Sequence, residues 1–359
     1  MVRLAEHGSQ SMEVRALSAI ADVARLAGVS KSTASRALSG HGYVSHETRA
    51  RVEAAAAEIG YVVSSNASSL VTGRTRNVGV VIPFISRWFF SQVLEGIESS
   101  LIAAGYDLTL YRLSEDETQR RRVFDYFLVR KRVDAVIAVG IELSPHEVAM
   151  LRSLGKPIVG IGGTVDGISS VSIDDVETAR RATEHLLSLG HTQIVHLGGD
   201  PEEQMDFRVH SQRLAGVTQA MTAAGLAENV RFQPAVFSIP GGYNEALSLL
   251  ADPRSRPTAI VAGCDEIAIG VIVAARQLGI QIPAELSVIG IDGHELATMF
   301  SLTTLEQFPS RQGTRAVELV MDGMADDAAS DEQAITMPVN LKVRRSTTAP
   351  PRPSQNARK

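Results

Sequence analysis

Residues 30–36, Ser-Lys-Ser-Thr-Ala-Ser-Arg, place five side-chain donors close together with no acid among them. Lys31, Ser32, Thr33, Ser35 and Arg36 are residue types that bond phosphate oxygens and base edges. A guanidinium such as that of Arg36 can bond guanine in bidentate fashion. Thr33 and Ser35 have the length to reach phosphate oxygens. Ser30 is of the type preferred at a helix N-cap, so the stretch reads as a capped helix with its donors facing outward. Other chemistry is sparse. There is no Walker phosphate loop and no Gly-x-Ser-x-Gly elbow. Gly160-Ile161-Gly162-Gly163 follows a strand-like run but lacks the helix start that a dinucleotide site needs. Nine histidines show no His-Glu-x-x-His spacing, and the one cysteine, Cys264, excludes a disulfide framework or a Cys-rich zinc site. No catalytic residue, metal ligand or cofactor is expected.

The donors need a scaffold, and the residues around them supply one. Ile20, Val23, Ala24 and Ala27 share one helical face, and Gly28 ends that helix. Val29, Ala34, Ala37 and Leu38 give the second helix its apolar positions. Gly40 and Gly42 break it. Ser45 caps a third helix with Glu47 in the first turn, and Gly60 stands where a C-cap glycine belongs. Residues 18–62 therefore read as a small three-helix head in which helix, glycine turn and helix present the second helix to the DNA major groove. Residues 1–17 lack periodicity and are expected to be a flexible extension, with Met12 an alternative start. Residues 63–76 are small and polar, like a linker.

From Asn77 onward the pattern changes. Strand-like runs read at 78–82, 108–111, 135–139, 158–161, 171–173, 194–197, 259–262 and 287–291. Helical stretches read at 88–104, 117–131, 144–153, 175–189, 207–224, 242–251, 265–278 and 309–323. Repeated β-α-β units with continuous apolar strands imply parallel sheets covered on both faces. Some 270 residues of this are long for one sheet, so two α/β lobes with a cleft between them are expected over 77–347. The Pro-rich segment 348–359 is expected to be a disordered tail.

Hydrophobic residues make up 44% and charged residues 21% of the 359, enough for each domain to bury an ordinary core. The net charge of −5 argues against nucleic acid only as an average. Residues 1–76 carry +3 and the remainder −8, so the segments have different partners. The lone cysteine, the shortness of the apolar runs and the polar N-terminus are those expected of a soluble cytoplasmic protein.

The head resembles that of the lactose-repressor (LacI/GalR) family of bacterial transcription regulators. The resemblance is carried by Asp22-Val23-Ala24, Ala27-Gly28-Val29-Ser30, Thr33-Ala34-Ser35-Arg36, Val44-Ser45 through Thr48-Arg49 and Val52, and Gly60-Tyr61. Ala34 stands where the family has valine. It continues along the chain in Gly96-Ile97-Glu98, Gly105-Tyr106, Gly190-His191, Pro257-Thr258-Ala259, Leu302-Thr303-Thr304 and Arg344-Arg345-Ser346-Thr347. The family architecture implied is a helix-turn-helix head plus a two-lobed, periplasmic-binding-protein-like α/β sensor with three crossovers. Partners implied are double-stranded DNA with a palindromic operator, a second copy of the chain in a homodimer, and a small effector, a sugar or sugar phosphate. The linker becomes a hinge helix whose Leu70, with Ala67 one turn earlier, wedges into the minor groove. Tyr61 joins the DNA-binding set. Val63 replaces a family proline, and Ser64, Ser65 and Ser68 make the segment a poor isolated helix.

The same resemblance implies effector contacts. Asp292, after a strand, corresponds to an aspartate that accepts sugar hydroxyls. Arg213 corresponds to an arginine that reaches the ligand. Phe237 offers a stacking face, Trp88 and Phe89 open the first helix of the first lobe, Cys264 stands where asparagine is usual, and Gln307 lies in a crossover. Arg87-Trp88 replaces the customary Asn-Pro, and Gly162 replaces a polar ligand residue. Two other classes fit less of the sequence. A solute-binding protein of the same fold leaves the helical head unexplained, and an enzyme finds no catalytic motif.

Overall fold

The computed structural model describes residues 20–39, 42–61, 74–113, 116–128, 133–153, 155–164, 167–201, 208–325 and 332–351. The chain divides into two compact units, one ending at Thr75 and one beginning at Arg76.

Among its described residues the first unit holds three helices, α1 (Ile20–Leu26), α2 (Lys31–Ser39) and α3 (His46–Glu58). Their shared core is Val23, Ala24, Ala27, Ala34, Ala37, Val52, Ala55 and Ala56. Six of those eight are alanines, which let short helices approach closely. The turn between α1 and α2 runs through Gly28 at φ +65°, a left-handed conformation that costs a non-glycine residue about 1 kcal/mol or more. Ser30 Oγ accepts the Thr33 N–H at 3.1 Å and starts α2. Ser45 does the same for α3 through the Thr48 N–H, at 3.3 Å. Arg49 of α3 donates to the Ala37 carbonyl at 3.0 Å, satisfying one of the open acceptors at the end of α2.

The second unit holds two six-stranded sheets. The first has the order β11-β5-β4-β3-β1-β2, built from β1 (Asn77–Ile82), β2 (Asp107–Arg112), β3 (Ala135–Val139), β4 (Ile158–Ile161), β5 (Ser169–Ser172) and β11 (Ala334–Thr336). The second has the order β12-β10-β9-β8-β6-β7, built from β6 (Ile194–Gly198), β7 (Arg231–Pro234), β8 (Ala259–Ala262), β9 (Ser287–Asp292), β10 (Thr303–Glu306) and β12 (Asn340–Lys342). All pairings are parallel except β10 with β12. Alternate residues of β3 enter cores on opposite faces: Ala135, Ile137 and Val139 on one, Val136 and Ala138 on the other. Each fully buried Val or Ile side chain among them contributes about 1.5–3 kcal/mol. The chain crosses between lobes three times, after β5, after β10 and between β11 and β12.

The helices are α4 (Trp88–Ala103), α5 (Glu117–Arg121), α6 (Pro145–Ser153), α7 (Asp175–Ser188), α8 (Val209–Ala223), α9 (Ile239–Leu250), α10 (Asp265–Gln277) and α11 (Pro309–Ala325). Helices α4 and α11 pack backbone to backbone at Gly96 and Gly313, where a Cβ would collide with the Ser310 and Val93 carbonyl oxygens.

Several elements differ from the sequence reading. The helix expected over 117–131 is α-helical only to Arg121 and continues as a π-helix over Arg122–Leu128. Helix α9 begins at Ile239, not 242, because Ser238 Oγ caps it at the Gly241 N–H and Pro240 fits its first turn. Strands β7, β10, β11 and β12 are three or four residues long and carried no readable alternation. Thr348, at the start of the expected tail, is held against the second lobe: its N–H donates to Ser287 Oγ at 3.0 Å, and its carbonyl accepts from His191 Nε2 at 2.8 Å; residues 352–359 lie outside the described residues. Residues 1–17 and most of the linker lie outside the described residues.

Candidate functional sites

On the head, the capped start of α2 sorts the side chains. Ala34 and Ala37 face the core, whereas Lys31, Ser32 and Arg36 are exposed and Thr33 and Ser35 partly exposed. Ser30 Oγ also sits 2.9 Å from Ser32 Oγ and 2.8 Å from Thr33 Oγ1, which ties the hydroxyls of the first turn together. The result is one helix face of cationic and hydroxyl donors with no carboxylate in its first turn. Such a face suits phosphates and base edges. Tyr61 is partly buried against the head core, and its N–H donates to the Ala56 carbonyl at 2.8 Å. Ala67 and Leu70 lie outside the described residues.

In the second unit the carboxyl ends of both sheets open on one cleft. Phe84, Phe89, Phe90, Gly140 and Gly162 line it from the first lobe. Val209, Arg213, Phe237, Cys264, Glu266 and Asp292 line it from the second. Asp175, Gln307 and Gln312, at or just beyond the crossovers, complete the wall. Crevices at the carboxyl ends of strands are where open α/β folds bind ligands.

Arg213 is buried. Its Nε donates to Asp175 Oδ1 at 2.7 Å, and its Nη1 donates to the Gly263 carbonyl. Asp292 ends β9 at φ +138°, a strained conformation for a non-glycine residue. Its Oδ1 accepts from Gln307 Nε2 at 2.6 Å. Gln312 Nε2 in turn donates to the Gln307 carbonyl at 2.9 Å. Burial pushes the Asp292 carboxyl up to about 8, against the pull of Arg213. Burial also raises nearby Asp265, to about 6, but Asp265 is the better supported of the two. It accepts from Thr304 Oγ1 at 2.7 Å and from the N–H groups of Gly293 at 3.0 Å and His294 at 2.8 Å. Asp265 therefore stays ionised and Asp292 holds the proton near neutrality. Gly290 leaves room for Asp265; a Cβ there would collide with Oδ1. His196 and His210, beside Arg213, are pushed down to about 4, chiefly by burial.

The structure gathers Phe89, Arg213, Phe237, Cys264, Asp292 and Gln307 around this one cleft. Trp88 is placed differently. Its indole stacks on His294 of the opposite lobe, with ring centroids 4.7 Å apart and planes 24° apart, and it is not part of the cleft wall. Cys264 lines the cleft as the N-cap of α10, its Sγ accepting the Ile267 N–H at 3.5 Å. Sequence reasoning missed Phe84, Phe90, Asp175, Glu266 and Gln312. Asp175 and Glu266 had a signal, because each lies in the first turn of a helix that follows a strand.

The sequence matches the model of bacterial regulatory proteins of the lacI family over residues 19–64 and that of the periplasmic binding protein-like domain over 183–347. It is 30% identical to the catabolite control protein A of Priestia megaterium over 91% of this chain and 98% of that protein. It is 32% identical to the ribose operon repressor of Escherichia coli K12 over 89% of this chain and 97% of that one. Among solved structures, the Lac repressor dimer bound to operator and an anti-inducer superposes with a TM-score of 0.80 at 26% identity, covering 92% of this chain and 99% of that one. A ribose-bound lacI family regulator from Enterococcus faecium superposes with a TM-score of 0.68 at 25% identity, covering 76% and 99%. The head and the two-lobed cleft are those of a DNA-binding transcriptional regulator with a sensor domain. The chain belongs to the lacI family.

Proposed function

We propose that the protein represses a carbohydrate-use operon and is controlled by a small molecule held in the cleft between its lobes. Two copies bind a palindromic operator, because a two-fold protein reads a two-fold site. Lys31, Ser32, Thr33, Ser35 and Arg36 make the major-groove and phosphate contacts. Tyr61 supports the exit from the head, and Ala67 and Leu70 belong to a hinge that enters the minor groove. Phe89, Phe237, Arg213, Cys264, Asp292 and Gln307 surround the effector. The protein works in the cytoplasm and catalyses no reaction.

The observation that carries this reading is the placement of Asp292 and Gln307. Asp292 ends a strand of the second lobe, and Gln307 lies on the crossover that returns the chain to the first. Their 2.6 Å hydrogen bond joins the cleft wall to the strap connecting the lobes. A ligand that replaces this bond favours one lobe angle over another, which shifts the population competent for DNA. Operator binding by the full chain, followed with and without a sugar panel, tests it. Asp292→Ala is expected to keep operator affinity and lose the ligand effect. A normal ligand effect in that variant rejects the role of Asp292.

A further inference from the structure

We propose that the cleft is built for a neutral ligand and against a phosphorylated one, with the Glu266 carboxylate standing where a phosphate would bind. This rests on the reading of the cleft as an effector site and narrows the chemistry of what enters it.

Helix α4 begins at the cleft with Arg87 at its N-cap, and no side chain of its own caps the first turn. Open N–H groups at a helix N-terminus, with the macrodipole behind them, attract anions in folds of this kind. Here the site is taken. The Trp88 N–H donates to the Glu266 carboxylate, which comes from α10 in the opposite lobe. Glu266 is itself part of the cleft wall. Glu266 thus acts as an internal anion at the place a phosphate would seek.

The cations of the cleft are held in place as well. Arg213 spends Nε on Asp175 and Nη1 on the Gly263 carbonyl. The Arg87 guanidinium lies over the Phe84 ring, 3.4 Å from its centroid. Against these two guanidiniums the cleft wall sets the carboxylates of Asp175 and Glu266, with Asp292 beside them as a neutral carboxyl. A phosphate monoester brings about −1.5 to −2 charges. It would enter a crevice whose two guanidiniums are already matched by the carboxylates of Asp175 and Glu266, and burying charge without a partner is strongly unfavourable. The start of α10 offers no alternative, since Asp265 and Glu266 occupy its first turn. Hydroxyl donors, by contrast, suit this wall. The carboxyls accept from them, and Phe89, Phe90 and Phe237 cover the apolar face of a ring.

The test uses the full-length chain and its Glu266→Ala and Glu266→Gln variants, with inorganic phosphate, ribose and the phosphate ester of ribose as probes. Binding is measured by calorimetry and thermal shift. The wild type is expected to ignore phosphate and the ester at millimolar concentration. Glu266→Ala vacates the α4 N-terminus, and its phosphate affinity is expected to rise by about tenfold or more. Glu266→Gln keeps the shape, loses the charge and is expected to gain less. Wild-type protein that binds the ester more tightly than ribose overturns the proposal. So does a folded Glu266→Ala or Glu266→Gln that binds phosphate no better than the wild type. A phosphate gain in a protein whose operator binding no ligand alters would leave the electrostatic assignment standing and remove the effector reading, so the two fail separately.

Discussion

Arg213 and Asp175 form a buried ion pair, Nε to Oδ1 at 2.7 Å, that joins α8 to the start of α7 in the wall of the cleft. Both side chains are at least nine-tenths buried, so neither charge has water to fall back on. Removing one partner strands the other. Arg213→Ala is expected to destabilise the second unit by about 3–5 kcal/mol, read by urea unfolding. A loss under about 1 kcal/mol would show that the pair is not dry.

Asp292 makes the pH behaviour of the sensor testable. Its folded pKa is about 8, against about 3.9 for an unfolded aspartate. Between those values the folded state holds a proton that the unfolded state lacks. Stability from this group is therefore full at low pH and declines as pH rises toward 8. His196 and His210, lowered to about 4, act oppositely between about 4 and 6.5, where stability rises with pH. From about 6.5 to 8 the fall due to Asp292 is expected to dominate. Asp292→Asn mimics the protonated group and can still accept from Gln307. Its melting temperature should fall less than the wild type's over that window. Parallel pH profiles for the two proteins would place Asp292 among ordinary ionised carboxylates.

Gly290 tests how tightly the Asp265 carboxylate is seated. A Cβ at that position meets Oδ1. Gly290→Ala is expected to cost about 1–3 kcal/mol and to loosen the Gly293–His294 turn. Hydrogen exchange at the Gly293 and His294 amides, both donors to Asp265, reports the loosening directly. Unchanged protection there would mean that the carboxylate has room to move.

Ser30 is the cap on which the orientation of α2 depends. Ser30→Ala removes an acceptor from the Thr33 N–H and is expected to destabilise the helix by about 0.5–2 kcal/mol. Faster amide exchange at Thr33 and weaker operator binding should appear together. Arg36→Ala leaves the cap intact and is expected to cost about 1–3 kcal/mol on the best operator while relaxing discrimination at one base pair. Equal losses on all sequences would make Arg36 a phosphate contact only.

The parts of the molecule legible in the sequence are those dictated by local chemistry. Gly28, Ser30 and Ser45 fix the head because a left-handed glycine and two capping hydroxyls allow few alternatives. Runs such as Ala135–Val139 are readable because both faces of the sheet are buried. The β11 and β12 strands were not readable, since three exposed or half-buried residues at a sheet edge carry no pattern. The cleft was partly legible. Asp292 and Arg213 could be assigned from the family resemblance, but the roles of Asp175 and Glu266 depend on the other lobe or on another helix. The stacking of Trp88 on His294 was not legible for the same reason: only the fold brings His294 beneath its indole.

Fluorescence anisotropy of the full chain on a palindromic duplex selected from a random pool measures ligand-controlled operator binding directly. Two chains are expected per duplex. A neutral carbohydrate bound by the sensor is expected to change operator affinity by about 5–150-fold. Binding without sequence preference, or an operator affinity unmoved by a ligand that demonstrably occupies the cleft, would contradict the proposed regulation.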